Sequence, residues 1–170
     1  DELAFAWVVD FPMYEEGKDG KLTTAHHPFC SMHPEDVDIF MNAKPGDKEL
    51  LKVRANSYDL VLNGYELSSG SIRIHQKDIQ KKVFELLGMS EEQIQSKFGH
   101  MLEAFTFGTP PHGGFAPGVD RIVMLMQNEP NIREVIAFPK TGEGRDLMTG
   151  APAGMPVEQL TELGVKVIKE

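Results

Sequence analysis

Two carboxylates and an arginine, Asp59, Glu66 and Arg73, recur at intervals of seven residues in the middle of the chain. Carboxylates that face one cleft repel each other unless a proton or cation lies between them, and Mg²⁺ bound by one or two carboxylates and by phosphate oxygens relieves that repulsion. An arginine beside them offers a planar fork that binds a carboxylate through two hydrogen bonds. The spacing therefore indicates either a site for Mg²⁺ and a small anion or a surface cluster with an internal ion pair.

A second candidate combines glycines with the start of a helix, because residues 113–121 read GGFAPGVDR. Glycines let another group approach the backbone closely, and a helix start beside an arginine suits a phosphate or a stacked base. The segment lacks the Gly-Lys-Ser/Thr of a P-loop and the glycine spacing of a dinucleotide-binding loop. It suggests a nucleotide contact, although glycines that only pack a strand against a helix would look the same.

Histidines and the single cysteine lie close together near the start of the chain. His27, Cys30 and His33 have a spacing that zinc ligands use, but a structural zinc site needs four ligands and usually several thiolates. His26 and His27 can instead belong to a substrate-contacting loop, or be solvated imidazoles without a ligand. Cys30 is expected to be a small core or cleft residue.

A hairpin is the first element that must position these residues. Asn63-Gly64 between two apolar runs is the strongest short signal for a two-residue turn of the primed type. Pairing across this turn sets Val61 opposite Glu66, so Asp59 shares a face with Glu66 as its diagonal neighbour. After a turn at residues 68–70, residues 71–75 are expected to form a further strand that carries Arg73.

The remaining elements follow from hydrophobic periodicity and from breakers. We expect a buried strand at residues 3–11, a short helix at 37–41, helices at 78–87 and 90–105, an extended segment at 112–118, an apolar helix at 121–127, a buried strand at 135–138, and a short helix plus an edge strand from 155 onward. Because these elements intermingle without βαβ regularity, they favour an α+β fold, a mostly antiparallel sheet flanked by helices.

Composition limits the classes of protein. The chain has 170 residues, with 17 Lys+Arg against 26 Asp+Glu and a net charge of −9, which fits one soluble domain and argues against binding nucleic acid by net charge. Its apolar runs are too short to cross a membrane, and one cysteine excludes a disulfide scaffold and fits a reducing compartment. No signal or transit peptide is seen, and a start without Met predicts further sequence upstream.

Six ordered strings are more specific than any of these features alone. They are HHPF at 26–29, YDLVLNGYE at 58–66, GSIRIH at 70–75, GTPPHGG at 108–114, GVDR at 118–121 and IREVIAFPK at 132–140. Together they resemble the C-terminal part of the catalytic domain of bacterial or organellar-type aspartyl-tRNA synthetases, and GVDR resembles the third signature motif of class II synthetases. The resemblance implies that residues 1–170 lack the anticodon-binding domain, motifs 1 and 2 and the inserted domain, so the piece alone is expected to be inactive.

The resemblance also implies roles for the amino-acid half of the site. Arg73 would bind the side-chain carboxylate of L-aspartate, and His26 would line that pocket. Glu66, with Asp59, would bind Mg²⁺ that bridges the phosphates of ATP. Serines stand at 68 and 69, where the family usually has glycines, so the rim of this pocket is expected to differ.

For the nucleotide half, the resemblance implies that Gly118, Val119, Asp120 and Arg121 form part of the ATP site. Arg121 would pack on adenine and reach toward the terminal phosphate, and with Glu66 it is expected to act in catalysis.

The implied activity is that of an aspartate–tRNA ligase, which activates L-aspartate with ATP and transfers it to the 3′ end of tRNA. The implied enzyme is a homodimer without membrane contact, in the cytoplasm or, alternatively, in an organellar matrix. Whether it charges the tRNA for Asp alone or also that for Asn stays open. Two other hypotheses also stay open: a synthetase paralogue that activates aspartate for amidation, and a binding module without turnover.

Overall fold

A computed structural model describes residues 2–168 of the chain. Its strands are β1 (Phe5–Val9), β2 (Tyr14–Glu16), β3 (Leu22–Thr24), β4 (Ser57–Leu62), β5 (Tyr65–Ile72) and β6 (Gly113–Pro117). Its α-helices are α1 (Val37–Asn42), α2 (Lys77–Leu86), α3 (Glu91–Phe105), α4 (Val119–Met126) and α5 (Val157–Glu162). Short 3₁₀ helices lie at Pro34–Asp36, Lys48–Lys52 and Ile132–Glu134.

The chain divides into two compact units, Asp1–Gly118 and Val119–Glu170. The first unit contains both sheets and α1 to α3, and its core consists of two apolar clusters, one around Phe40 and Leu50 and one around Phe84 and Ile94. The second unit contains α4 and α5. The predicted α+β class, an antiparallel sheet with helices against it, is confirmed.

The main sheet has the order β1-β4-β5-β6, and every neighbouring pair is antiparallel. Asn63 and Gly64 have φ angles of 49° and 86°, the left-handed backbone that a type I′ turn requires. Val61 pairs with Glu66 as predicted, and an irregularity after Leu60 shifts the register so that Asp59 pairs with Ser69. Since alternate residues of a strand share a face, Asp59 and Glu66 lie on the same face of the sheet.

The predicted turn at residues 68–70 and the separate strand at residues 71–75 are wrong, because β5 is one strand, Tyr65–Ile72. Ser68, Ser69 and Gly70 pair with β4 on one side and with β6 on the other. Gly70 serves close approach rather than a turn: a Cβ there would lie 2.2 Å from the Gly114 oxygen and 2.4 Å from Cε2 of Tyr58.

Gly70→Ala is therefore expected to lower the free energy of unfolding by roughly 1–3 kcal/mol, the usual cost of overpacking. Gly114→Ala is the matched control, because a Cβ at Gly114 meets no atom within 4 Å. Chemical unfolding of both variants checks the difference, and equal losses would contradict the close approach.

The strand predicted at residues 3–11 exists as β1, but the prediction that it is buried is wrong. Trp7 is 58% exposed and Val9 is 55% exposed. All five residues of β1 are exposed, and the strand lies at the edge of the sheet, where it pairs with β4 alone. Apolar composition indicates a strand, but it does not say which of its faces is covered.

Two predictions in the second unit also need correction. Residues 135–138 do not form a strand: they follow a 3₁₀ helix, and Phe138, which is 67% exposed, has a φ of 59° directly before Pro139. The helix predicted after residue 155 is α5, but no edge strand follows it in residues 163–168, and residues 169 and 170 lie outside the described part.

The predicted helices agree closely with the structure. Ser90 and Gln93 form the predicted capping box at the start of α3, and Gly88, with a φ of 80°, follows the end of α2. Within the described residues, no helix is long and apolar enough to cross a membrane.

Candidate functional site

A pocket of about 370 Å³ opens on the face of the main sheet that carries Asp59. It is lined by Pro12, Met13, His26, His27, Cys30, Ala55, Ser57, Asp59, Ser69, Gly70, Ser71, Arg73 and Ala116, all of which belong to the first unit. Strand alternation explains the polar wall, because residues 57, 59, 69 and 71 share one face in the observed register.

Arg73 lies directly after β5, where its backbone forms a bridge with Cys30. Its half-buried side chain places Nη1 at 3.1 Å from Nε2 and at 3.3 Å from Nδ1 of His27. Because these distances are nearly equal, the guanidinium lies against the imidazole face, a packing that arginine favours. Within residues 2–168, no carboxylate forms an ion pair with Arg73. The pocket therefore presents a positive charge that a bound anion can neutralise.

His27 is held in one orientation beside this arginine. Its Nδ1 accepts a hydrogen bond from the backbone N–H of Phe29 at 3.2 Å, which leaves Nε2, at 3.5 Å from the Ser71 hydroxyl, to carry the proton of the neutral ring. Burial lowers the pKa of His27, and the charge of Arg73 lowers it further. A neutral imidazole thus faces the guanidinium at neutral pH.

This lowered pKa predicts how stability depends on pH. An unfolded histidine titrates near pH 6.5, so below about that pH the unfolded chain takes up a proton that folded His27 resists, and stability falls. His27→Gln removes this contribution. The melting temperature should therefore drop less between pH 7.5 and pH 5.5 in His27→Gln than in the unchanged protein, whereas equal drops would contradict a neutral His27.

A half-buried ion pair lies next in sequence to the pocket residue Ala55. The Arg54 guanidinium donates from Nε to Oδ2 of Asp36 at 2.9 Å and from Nη2 to Oδ1 at 3.0 Å. This fork lowers the pKa of Asp36. Because Ala55, the next residue, bridges to Met32, the pair holds the segment that leads into β4 against the loop that carries Cys30.

The structure brings three of the predicted residues, His26, Asp59 and Arg73, into this one pocket. The ring of His26 meets the ring of Phe11 edge-on, with 5.1 Å between centroids. Glu66 is exposed near the hairpin turn and lies on the face of Asp59, but it does not line the pocket.

The motif at residues 118–121 begins where β6 ends. The backbone N–H of Gly118 donates to the Leu67 oxygen at 2.7 Å, so this glycine lies beside the residue that follows Glu66. Val119 and Asp120 begin α4 in the second unit, and the side chain of Arg121 in its first turn is half-buried.

The donor set fits magnesium better than zinc. Residues 2–168 hold no group of three or more His, Cys, Asp or Glu side chains arranged to bind a metal ion, so the zinc hypothesis for His27, Cys30 and His33 finds no support. Mg²⁺ needs only one or two carboxylates when phosphate oxygens and water complete its shell. Asp59 and Glu66 on one face of the sheet match that requirement.

Sequence reasoning did not predict the contact of His27 with Arg73, and it missed Ser57 and Ser71 of the polar wall. Ser57, Ser69 and Ser71 alternate with residues of the opposite face, and this period of two was the signal that could have found them. The Ser57 Oγ is buried without a hydrogen-bond partner among the described residues. Of the two serines that stand in place of glycines, Ser69 lines the pocket and Ser68 is 3% exposed on the opposite face.

Residues 1–142 match the family model described as class II tRNA synthetases (D, K and N). The aspartate–tRNA(Asp/Asn) ligase of Symbiobacterium thermophilum is 51% identical over 166 residues, which are 97% of this chain and 28% of that protein. The ligase of the same name from Dictyoglomus turgidum is 50% identical over 167 residues, 98% of this chain and 27% of that protein. The chain thus spans just over a quarter of the length of these curated relatives.

Solved structures share the fold. The aspartyl-tRNA synthetase of Entamoeba histolytica is 26% identical with a TM-score of 0.57, over 82% of this chain and 23% of that one. The asparaginyl-tRNA synthetase of the same organism, in complex with asparaginyl-adenylate, has a TM-score of 0.58 at 23% identity, over 84% of this chain and 26% of that one, and shows the fold alone. Since the family model covers most of its length, the chain belongs to the class II tRNA synthetases of the D, K and N group.

Proposed function

We propose that these 170 residues are the C-terminal portion of the catalytic domain of an aspartate–tRNA ligase, which activates L-aspartate with ATP and transfers it to the 3′ end of tRNA. The observation that carries the proposal is the guanidinium of Arg73, which lies in a pocket without a carboxylate partner among the described residues. In a family that acts on Asp, Lys and Asn, such a charge repels lysine and stays uncompensated with asparagine. Among these three amino acids, only aspartate has a side chain that neutralises the charge of Arg73 and accepts a pair of charge-assisted hydrogen bonds from it.

The amino-acid half of the proposed site is built from Arg73, His26 and His27. The planar fork of Arg73 would bind the side-chain carboxylate of aspartate in two hydrogen bonds, and His26 would line the same space. His27, packed against the guanidinium, would hold the fork in one orientation. A neutral ring at this position adds no competing charge.

For the nucleotide half, we assign ATP to residues 118–121. Arg121 would pack on adenine and reach toward the terminal phosphate. Asp59 and Glu66 would hold Mg²⁺, which when bound screens the phosphate charges. The α-carboxylate of aspartate attacks the α-phosphorus of ATP and pyrophosphate leaves. Because an anion approaches an anion, positioning and charge neutralisation supply most of the catalysis. No protein nucleophile is needed, and burial raises the pKa of Cys30, which keeps its thiol protonated.

Partners follow from the same proposal. The relatives are named for both the Asp and the Asn tRNA, and we extend that pair of substrates to this ligase. We also propose that the complete enzyme is a homodimer of the cytoplasm.

ATP–pyrophosphate exchange by the full-length ligase tests the function. L-Aspartate should support exchange, L-asparagine and L-lysine should not, and the adenylate should pass to tRNA. Asparagine formed from aspartate and ammonia would identify an amidating paralogue instead. If none of the three amino acids supports exchange, the remaining hypothesis is a binding module without turnover.

A further inference from the structure

Gln80 is a fully buried polar residue in the middle of α2, with 0% of its surface exposed. Its Nε2 donates a hydrogen bond to the backbone oxygen of Pro28 at 2.7 Å, across 52 positions of sequence. Its Oε1 has no partner among the described residues. Burial of an amide is unfavourable unless hydrogen bonds compensate it, so among residues 2–168 the bond to Pro28 is the one hydrogen bond of this side chain that offsets the cost.

The acceptor lies in the loop that supplies both pocket histidines. Pro28 directly follows His27, and the next residue, Phe29, packs its ring on His27 with 6.0 Å between centroids and 29° between planes. Phe29 in turn meets Phe84 of α2 edge-on at 6.3 Å. Helix α2 therefore holds this loop at two neighbouring points, a hydrogen bond and an aromatic contact.

A continuous path of contacts then leads from α2 to the guanidinium. Gln80 binds the Pro28 oxygen, the preceding residue is His27, and Nη1 of Arg73 rests on the His27 ring. The Pro28 carbonyl belongs to the same peptide group as the N–H of Phe29, which donates a hydrogen bond to Nδ1 of His27. A shift of this oxygen moves the surface on which the guanidinium is supported.

The amide of Gln80 serves the loop that it binds and not the packing of α2. The helix neighbour Val83 is 0% exposed and apolar, and an apolar side chain at position 80 would pack without leaving a buried Oε1 unpartnered. It would, however, leave the Pro28 oxygen without its donor, because such a replacement is close to neutral only when both partners become apolar. The amide is explained better by the position of the loop that it holds.

We infer that Gln80 is a positioning residue for the amino-acid half of the active site, which acts through the Pro28 oxygen to hold His27 under Arg73. The inference rests on the proposed function, since it assigns the carboxylate of aspartate to Arg73.

Gln80→Met in the full-length ligase tests it, because methionine keeps the length and apolar stem and removes the donor. In pyrophosphate exchange, KM for L-aspartate should rise about tenfold, a loss of about 1.4 kcal/mol. KM for ATP should stay within about twofold, because the hydrogen bond of Gln80 leads to the loop of the amino-acid half. Gln80→Asn keeps the amide but shortens its reach by one carbon, so it should raise KM for aspartate similarly, and it carries the test if the methionine variant does not fold.

Val83→Ala is the matched control on the same helix. It removes buried methyl groups and should lower the melting temperature, but it should leave the KM for aspartate unchanged. An unchanged KM for aspartate in a folded Gln80 variant, or equal rises for aspartate and ATP, would overturn the inference. So would a rise of the same size in Val83→Ala. The proposed function fails separately, if the unchanged enzyme shows no aspartate-dependent exchange.

Discussion

Replacing Arg73 by alanine in the full-length form of the proposed ligase is expected to lower aspartate-dependent pyrophosphate exchange by roughly 10²–10³-fold. The change removes a charged partner that the bound carboxylate has no means to replace, and loss of one member of such a desolvated pair costs about 2–5 kcal/mol. The loss should appear in kcat/KM for L-aspartate, measured at saturating ATP.

Arg73→Lys is the matched variant for this prediction. Lysine keeps the positive charge but lacks the planar fork and the face that packs on His27. Its loss should lie between those of the alanine variant and the unchanged enzyme, with KM for ATP near its normal value in both variants. An alanine variant that exchanges at the normal rate would refute the role of Arg73.

Neutralising the two carboxylates of the sheet face is expected to have the second large effect. Asp59→Asn and Glu66→Gln keep the size of each side chain and remove its charge, so each should raise the Mg²⁺ concentration for half-maximal exchange by about tenfold or more. Mg²⁺ binds through few protein carboxylates, and therefore each one matters.

Ser69→Ala is the control for these two variants, because Ser69 pairs with Asp59 across the sheet and lines the same pocket without carrying a charge. Its magnesium requirement should stay unchanged. If Asp59→Asn and Glu66→Gln also keep the normal requirement, the carboxylates do not hold the metal, and a structural role in the sheet becomes the explanation.

The sequence predicted the hairpin well because its signal is local. Asn63 and Gly64 tolerate the positive φ angles of a type I′ turn, and the turn then dictates that Val61 opposes Glu66. The turn at Asn63 and Gly64 was therefore enough to predict that Asp59 and Glu66 lie on one face of the sheet. The irregularity beyond Leu60 was not visible, because nothing in the types of residues there requires it.

Features that depend on distant neighbours were missed. Residues 68–70 have the composition of a turn, yet they form the middle of β5, because strands on both sides satisfy their backbone groups. Burial of β1 was predicted from apolar composition, but exposure is decided by what packs on a strand. The role of His27 was equally hidden, since it arises from contacts with Arg73, which lies 46 positions away.

A crystal structure of the full-length form of the proposed ligase with a non-hydrolysable analogue of aspartyl-adenylate tests the central claim most directly. The side-chain carboxylate of the analogue should accept two hydrogen bonds from the Arg73 guanidinium, with His27 still packed beneath it. A carboxylate bound elsewhere, with Arg73 turned out of the pocket, would contradict the account.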